Sequence, residues 1–279
     1  MNSIEICGRR MAAQFLLRPA SDAVEVVRAL GAVQAQDYSG AKWALGQRVA
    51  GATDAAIESL FAGGAMLRTH VLRPTWHFVA PEDIRWMLAL TAPRVVATMA
   101  SYNRKLELTS EVFRRSNDII ARALEGGRHL IRAELQEALA RHGIIAATQR
   151  LGHLMMQAEL DAVICSGPRR GKQFTYALLD ERAPPSKPRD RDASLEDLTL
   201  RYFATRGPAT VADMSWWSGL APADVKRGIE IAGKRLRKVD LDGRSHWFSE
   251  KQRVPRQRTT AHLLPNYDEY FIGLRDRSA

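Results

Sequence analysis

The sequence predicts a mainly α-helical protein with small β-hairpins, built from three tandem winged-helix repeats. The main observation is a weak internal repeat, in which a short cluster of helical segments is followed each time by a hairpin-like basic stretch. Three helices and a two-stranded wing make up the winged-helix variant of the helix-turn-helix. The chain has 279 residues, of which 46% are hydrophobic, and this length accommodates three such small units.

The first predicted repeat covers residues 1–85. Its helical pieces are RRMAAQFLLR, SDAVEVVRALGAVQAQ and TDAAIESLFAGG, and its hairpin is AMLRTHVLRPTWHFVA. Residues 86–108 are predicted to form a helical connector to the next repeat.

The second predicted repeat covers residues 109–182. Its segment HLIRAELQEALARHG carries Ile131, Leu135 and Leu139 on one helical face and ends at Gly143. The segment ICSGPRRGKQFTYAL then predicts a strand, a basic Gly-Pro turn and a second strand.

A Pro-rich, charged linker is predicted at residues 183–193, and the third repeat at residues 194–250. Its helices are LEDLTLRYFATRG, PATVADMSWWSGL and APADVKRGIEIAGKRL. A hairpin follows around Asp242-Gly243, a dipeptide suited to a tight turn.

The charge balance indicates a phosphate-rich partner. Lys and Arg total 41 against 31 Asp and Glu, giving a net charge of +10, although many soluble proteins are simply basic. Basic wing turns commonly bind phosphates. The alternative is that these residues are simply exposed, because surface turns are often rich in Lys or Arg. Because basic wing turns recur along the chain, phosphate contact by their cations is favoured. These wing cations are Arg169, Arg170, Lys172, Arg237, Lys238 and Arg244.

Several classes of function are disfavoured because the sequence lacks the residues that they require. The two distant cysteines, Cys7 and Cys165, give no disulfide framework and no cysteine-based metal site. The segment GPRRGK has three residues between its glycines instead of the four of a phosphate-binding loop, and Gln173 replaces the required Ser or Thr. No HExxH, H-x-E with a Cys pair, or G-x-S-x-G motif occurs. We therefore expect no metal and no cofactor. With neither a secretory signal nor an apolar run long enough for a bilayer, we expect no membrane partner and a cytoplasmic location.

The stretch GAVQAQDYSG contains two glutamines separated by one alanine. If this segment is extended, Gln34 and Gln36 point the same way, whereas Asp37 faces away from them. An amide can orient a water molecule but takes its proton only weakly. Two such amides therefore suit a reaction whose leaving group departs readily, such as a 7-alkylated guanine that already carries a positive charge. A Gln-x-Gln pair is more often ordinary polar surface.

The motifs VQAQD, LRPTWHFVAP and LLPNYDEYFIGLRDR, in this order, resemble the bacterial winged-helix family that includes the AlkZ-type DNA glycosylases. The resemblance covers nearly the whole chain. Members of that family unhook interstrand crosslinks and remove alkylated purines, and their tandem winged helices form a basic concave surface around DNA.

The resemblance implies that Gln34 and Gln36 are the catalytic residues, and Gln36 matches the crosslink-acting branch because a sister branch has aspartate there. It also implies that Arg73, Thr75 and His77 lie near the glutamine strand and contact DNA. Family members continue into a C-terminal β-rich domain, so residues 251–279 are expected to begin a β segment that is truncated here.

The sequence therefore predicts a DNA-binding protein, expected to act as a monomer on double-stranded DNA in the nucleoid. The leading hypothesis is a monofunctional DNA glycosylase for cationic alkylpurines or crosslinked bases. The alternatives are a non-enzymatic winged-helix regulator and an inactive, truncated paralogue. The pair Asp268 and Glu269 either completes the active site or caps the last strand, and the sequence leaves this choice open.

Overall fold

The fold was taken from a computed structural model that describes residues 1–183, 185–252 and 261–277. Helices dominate, and the strands form small antiparallel sheets, so the coarse prediction of a mainly α-helical chain with β-hairpins is confirmed. Along the chain, three groups of helices are each associated with one antiparallel hairpin.

The first group forms a three-stranded sheet against four helices. Its elements are α1 (Ser3–Ala13), α2 (Ala23–Leu30), β1 (Val33–Gln34), α3 (Tyr38–Gly46), α4 (Asp54–Ala62), β2 (Leu67–Val71) and β3 (Arg73–Val79). The strand order is β1-β3-β2, so the hairpin strand β3 lies in the middle. A long helix, α5 (Ile84–Lys105), leads to the second group where a helical connector is predicted.

The second group repeats this order with its own three-stranded sheet. Its elements are α6 (Ser110–Leu124), β4 (Leu130–Ile131), α7 (Arg132–Arg141), α8 (Gln149–Leu160), β5 (Ile164–Arg170), β6 (Gln173–Leu178) and α9 (Leu179–Arg182). The short strand β4 pairs with β6 in the same way that β1 pairs with β3.

The third group has a two-stranded hairpin. Its elements are α10 (Arg191–Arg206), α11 (Val211–Ser218), α12 (Pro222–Ala232), β7 (Leu236–Leu241) and β8 (Arg244–Ser249). The predicted tight turn is present, since Asp242 and Gly243 have φ angles of 49° and 71° between the two strands. Helix α10 begins at Arg191, inside the segment predicted as a linker.

The largest hydrophobic core among the described residues joins all three groups, since Met156 and Leu160 of α8 also belong to it. It includes Leu67 and Val79 of the first sheet, Met87 of α5, Phe203 of α10 and Trp217 of α11. Because one face of the first sheet packs against the third group, residues on that face lie at the junction of the two groups.

The C-terminal segment differs from its prediction. Within the part that the structure describes, residues 261–277 contain one short helix, α13 (Glu269–Ile272), and no strand. The side chain of Asp268 accepts a hydrogen bond from the backbone N–H of Tyr270 at 2.8 Å, which favours a helical turn here. The expectation of a β segment is therefore corrected for these residues, while 253–260 and 278–279 lie outside the described residues.

Candidate active site

Gln34 lies on the two-residue strand β1 at the edge of the first sheet. Antiparallel pairing places it opposite His77 of β3, and on the other side of His77 lies Thr69 of β2. Directly opposed residues in an antiparallel sheet share a face, with Cα atoms about 4.5–5.5 Å apart. Gln34, His77 and Thr69 therefore form a polar row across three strands, and they are only 7%, 0% and 0% exposed.

The same sheet face continues along β3, because alternate residues of a strand point the same way. Arg73 and Thr75 thus join the row, and we call these five residues the polar face: Gln34, Thr69, Arg73, Thr75 and His77. Each has a buried polar atom without a hydrogen-bond partner among the described residues. These atoms are Gln34 Oε1, Thr69 Oγ1, Arg73 Nε and Nη2, Thr75 Oγ1 and His77 Nε2. Native proteins rarely leave buried polar groups unpaired, so the polar face suits a polar ligand or ordered solvent.

The imidazole of His77 is held in one tautomer. Its Nδ1 lies 2.9 Å from the backbone oxygen of Thr75, and since a carbonyl only accepts, Nδ1 carries the proton. Burial, followed by the nearby cation of Arg73, holds the pKa of His77 well below its ordinary value. The ring is therefore neutral and presents a free lone pair at Nε2.

Gln36 takes a different position from Gln34. Strand β1 ends at Gln34, and Gln36 is exposed to solvent, with its Oε1 3.5 Å from the backbone N–H of Trp76. Asp37 caps helix α3, since its carboxylate accepts a hydrogen bond from Gly40 N at 3.1 Å. The carboxylate of Asp37 is thus engaged at a helix N-terminus.

Arg73 provides a cation at the outer end of the polar face. Its guanidinium carbon lies 5.7 Å from the ring centre of Trp216, a side chain of α11 that is 46% exposed. Burial lowers the pKa of Arg73, although Glu269 opposes this effect. Arginine remains charged even so, and its Nε and Nη2, which have no hydrogen-bond partner among the described residues, are suited to an anion.

The C-terminal segment 261–277, which we call the strap, crosses from the first group to the third. Near its start, Leu263 O accepts a hydrogen bond from Trp43 Nε1 at 2.6 Å. In the middle, the buried carboxylate of Asp268 forms two hydrogen bonds of 2.6 and 2.7 Å with Arg48. Further along, Gly273 O accepts from Tyr202 Oη at 2.8 Å, so both groups hold the strap.

Glu269 connects the strap directly to the candidate catalytic strand. Its Oε1 accepts a hydrogen bond from the backbone N–H of Gln34 at 2.9 Å. Its Oε2 accepts from Trp217 Nε1 at 2.9 Å and from the guanidinium of Arg206. All of these groups are buried, so the carboxylate fixes the main chain at Gln34 relative to the third group. The question left open for the acidic pair is thus answered structurally: Asp268 caps a helix instead of a strand, and Glu269 anchors Gln34.

Comparison with known proteins identifies the family. Residues 27–279 match the model of the family described as DNA glycosylase AlkZ-like. The chain belongs to the AlkZ-like DNA glycosylase family. It is 26% identical over 279 residues to the interstrand DNA cross-link repair glycosylase of Streptomyces sahachiroi, covering 95% of this chain and 75% of that protein. The fold superposes on the solved structure of Streptomyces sahachiroi DNA glycosylase AlkZ with a TM-score of 0.76 and 24% identity, covering 88% of this chain and 69% of that one.

The predicted wing cations lie outside the polar face of this AlkZ-like chain, and most have partners within it. Arg169 stacks over Tyr38 and Phe174, at 5.2 and 5.4 Å from the ring centres. Lys172 is exposed in the turn after β5. Four others form exposed ion pairs of 2.7 to 3.5 Å, namely Arg170–Glu134, Arg237–Glu250, Lys238–Asp240 and Arg244–Asp276. Such surface pairs contribute about 0–1 kcal/mol each, so a phosphate can replace the carboxylate at low cost.

In the described ranges, no three His, Cys, Asp or Glu side chains cluster closely enough to hold a metal ion. Among the helices of those same ranges, none has the length and apolar character required to cross a membrane.

Sequence reasoning missed three residues at the AlkZ-like site: Thr69, Arg206 and Trp216. The register of β2 against β3, which places Thr69 beside His77, shifts between His70 and Val71. Because hairpin patterning does not encode such an irregularity, the motif LRPTWHFVAP indicated only the β3 side of the site. Arg206 and Trp216 come from the third group, and no local pattern links them to β1.

Proposed function

We propose that this protein is a monofunctional DNA glycosylase that hydrolyses the N-glycosidic bond of cationic alkylpurines, including purines within interstrand crosslinks. The observation that carries the proposal is the polar face, whose buried atoms without partners lie beside Gln34 in a chain of the AlkZ-like DNA glycosylase family. The crosslink part of the proposal is supported by the relative named as an interstrand DNA cross-link repair glycosylase.

The chemistry follows from the neutral side chains around Gln34. A purine alkylated at N7 is already positively charged, so it leaves the sugar without an acid to protonate it. The departing base leaves an oxocarbenium-like carbon at C1′, and Gln34 and Gln36 orient the water molecule that attacks it. Since Gln36 is exposed and Gln34 is buried, the water approaches from the Gln36 side. Fixing a nucleophile in this way removes much of the entropic part of a barrier.

DNA binding would use all three groups, which we interpret as winged-helix units. Arg73, with two unpartnered nitrogen atoms among the described residues, binds a phosphate near the lesion, and Thr75 and His77 line the same face. The wing cations contact the backbone on either side by exchanging carboxylates for phosphates. One chain supplies every group named here, so we propose that it acts as a monomer on chromosomal DNA in the cytoplasm.

A crosslinked base stays tied to the opposite strand. An open groove therefore suits this substrate better than a closed pocket that receives a fully extruded base. The exposed position of Gln36 agrees with such a groove.

The test is to incubate the protein with duplex DNA that contains one 7-methylguanine and to measure abasic sites under single-turnover conditions. We expect release by the wild type, and about 10²-fold slower release by Gln34→Ala and by Gln36→Ala. Gln157→Ala is the matched control, because Gln157 lies on α8 and bonds Asp161 at 2.8 Å. A second duplex with a guanine–guanine crosslink tests unhooking.

The outcome also separates the two functional classes. DNA affinity that falls steeply with salt concentration, without base release from either duplex, would refute the glycosylase and favour a non-enzymatic DNA-binding protein. Equal release by the wild type and both glutamine variants would refute the assigned roles of Gln34 and Gln36.

A further inference from the structure

Hydrolysis at this site requires an acceptor for one proton. When water attacks C1′, the new oxygen carries two hydrogens and a positive charge until one of them leaves. An amide oxygen such as Gln34 Oε1 is too weakly basic to remove this proton with useful driving force. A stronger acceptor close to Gln34 would take up this proton as the bond to C1′ forms, without its transfer to bulk solvent.

Glu269 is the nearest carboxylate by hydrogen bonding, but its oxygens are occupied. Oε1 accepts from the backbone of Gln34, and Oε2 accepts from Trp217 and Arg206. Taking up a proton there would leave the buried Arg206 without its counter-charge, which is costly in a low-dielectric interior. Glu269 is therefore a poor proton acceptor.

The polar face offers a better acceptor one strand away. Gln34 Oε1, His77 Nε2 and Thr69 Oγ1 come from three adjacent strands at one register position, and none has a partner within the described part of the chain. Since Nδ1 of His77 donates to Thr75 O, its Nε2 can only accept. Gln34 Oε1 also accepts, whereas the hydroxyl of Thr69 can donate.

Two acceptors that lie directly opposite each other across β1 and β3 suit one bridging water molecule. Such a water can donate one hydrogen to Gln34 Oε1 and the other to His77 Nε2. The lone pairs of its oxygen then remain available to a carbon atom.

We propose that His77 is a catalytic residue, which accepts through Nε2 the proton of the water that Gln34 orients; this inference rests on the proposed glycosylase function. In the step, the bond from the water oxygen to C1′ forms, and the bond from C1′ to N9 of the purine breaks. The purine keeps that electron pair and becomes neutral. One water proton moves to Nε2, and the imidazolium later releases it to solvent, leaving a hydroxyl on C1′.

The charges that face His77 explain how a weak base is sufficient. Burial holds its pKa low, and Arg73 of β3, His70 of β2 and Arg206 of α10 act in the same direction. Of the main influences on the pKa of His77, only the hydrogen bond to the backbone oxygen of Thr75 raises it. The ring is thus unprotonated at neutral pH and ready to accept. The proton on a water bound to a sugar carbon is far more acidic than ordinary water, so transfer to such an imidazole is downhill.

The test compares His77→Asn with the wild type in single-turnover release of 7-methylguanine from duplex DNA. Asparagine can keep a donor to Thr75 O but lacks the acceptor at the Nε2 position. We expect release about 10²-fold slower, with unchanged affinity for undamaged duplex. Because a fully buried ring is replaced by a smaller side chain, the melting temperature should also fall, and the two rates are compared at a temperature at which both proteins are folded. His142→Asn is the control, because His142 is an exposed residue at the end of α7 and should leave the rate unchanged.

A pH profile separates a base from a merely structural residue. The methylated purine keeps its positive charge on the acidic side of neutrality, so it adds no acidic limb of its own. In the wild type, we expect the rate to be constant near neutral pH and to fall only well below pH 6.5, as His77 becomes protonated. This acidic limb should disappear in His77→Asn and persist in Thr69→Val, which changes the opposite neighbour of His77 but keeps the imidazole.

A rate of His77→Asn within twofold of the wild type, or an acidic limb that survives in it, would overturn the proposal. Nitrogen-15 NMR of the full chain gives a second measurement that does not need activity. It should show a neutral His77 with the proton on Nδ1 at pH 6.5, and a proton on Nε2 would overturn the proposal by itself. Absence of release by the wild type would instead refute the glycosylase function, and this inference would fall with it.

Discussion

Replacing Glu269 by alanine should both destabilise the protein and slow the proposed reaction. Glu269 is 1% exposed, and its partner Arg206 is 0% exposed. The substitution removes the acceptor for three donors: the N–H of Gln34, Nε1 of Trp217 and the guanidinium of Arg206. Breaking a buried ion pair by removing one partner costs about 3–5 kcal/mol, mainly because the remaining charge stays buried. At roughly 2–4 °C per kcal/mol for a chain of this size class, the melting temperature should fall by roughly 6–20 °C.

Thermal unfolding followed by tryptophan fluorescence and calorimetry measures this effect. The matched control is Glu250→Ala, because Glu250 is an exposed residue that pairs with Arg237 at 2.8 Å. Exposed pairs contribute about 0–1 kcal/mol, so this control should shift the melting temperature by less than roughly 4 °C. Glu269→Gln should fall between the two, since it keeps one acceptor for the N–H of Gln34 but leaves Arg206 without a counter-charge.

The functional effect is measured at a temperature at which Glu269→Ala remains folded. Strand β1 has only two residues, so loss of its anchor should displace Gln34 and slow base release by about 10²-fold. The reasoning would be refuted if Glu269→Ala melted less than roughly 4 °C below the wild type, or if it released the base at the wild-type rate.

Three further predictions concern thiol reactivity, packing and pH. Burial raises the pKa of Cys165 to about 12, so an aromatic disulfide reagent should titrate only Cys7 in the native protein and both thiols after denaturation. Gly219→Ala should destabilise the fold by more than 2 kcal/mol in urea titrations, because φ is +70° and the new Cβ would lie 2.3 Å from a backbone carbonyl oxygen. Gly243→Ala is its control, with φ of +71° and open space around it, and should cost only about 1 kcal/mol. Because the pKa of His77 is low in the folded protein, below pH 6.5 the unfolded chain binds a proton that the folded chain does not. This group should therefore lower the unfolding free energy as the pH falls, by up to about 1.4 kcal/mol per pH unit. The slope of the unfolding free energy measured between pH 5 and 7 should be shallower in His77→Asn.

Local patterns in the sequence were sufficient for most helices and for the hairpins. Leu195, Leu198 and Tyr202 repeat at helical spacing and are buried along α10, and Asp242-Gly243 forms the expected turn. Helix α3 has no such signal, because the segment YSGAKWALG contains two glycines and its start depends on the capping side chain of Asp37.

Which residues make up the candidate site could not be predicted locally, because they are far apart in the sequence. Glu269 bonds to Gln34 across 235 positions, and the strap that carries it was expected to be a strand. The acidic and aromatic residues of the strap follow no regular strand or helix period. Its helical turn instead depends on the buried ion pairs that Asp268 and Glu269 form with Arg48 and Arg206. The glutamine pair itself was found from spacing and resemblance, but the burial difference between Gln34 and Gln36 arises because β1 stops after Gln34.

The charge arrangement around Gln34 explains which lesions this site suits. The carboxylate of Glu269 is neutralised by Arg206, and the cation of Arg73 lies at the outer end of the polar face. Between them, Gln34 Oε1, Thr75 Oγ1 and His77 Nε2 present only neutral dipoles. Such groups stabilise a positive sugar carbon, because their negative ends can point towards it, but they cannot protonate a neutral base before it leaves. A base that is already cationic removes that requirement, since its positive charge passes to the sugar as the bond breaks. The geometry therefore suits N7- and N3-alkylated purines, whose departure is intrinsically easy, and leaves the protein the task of positioning the water and accepting one proton.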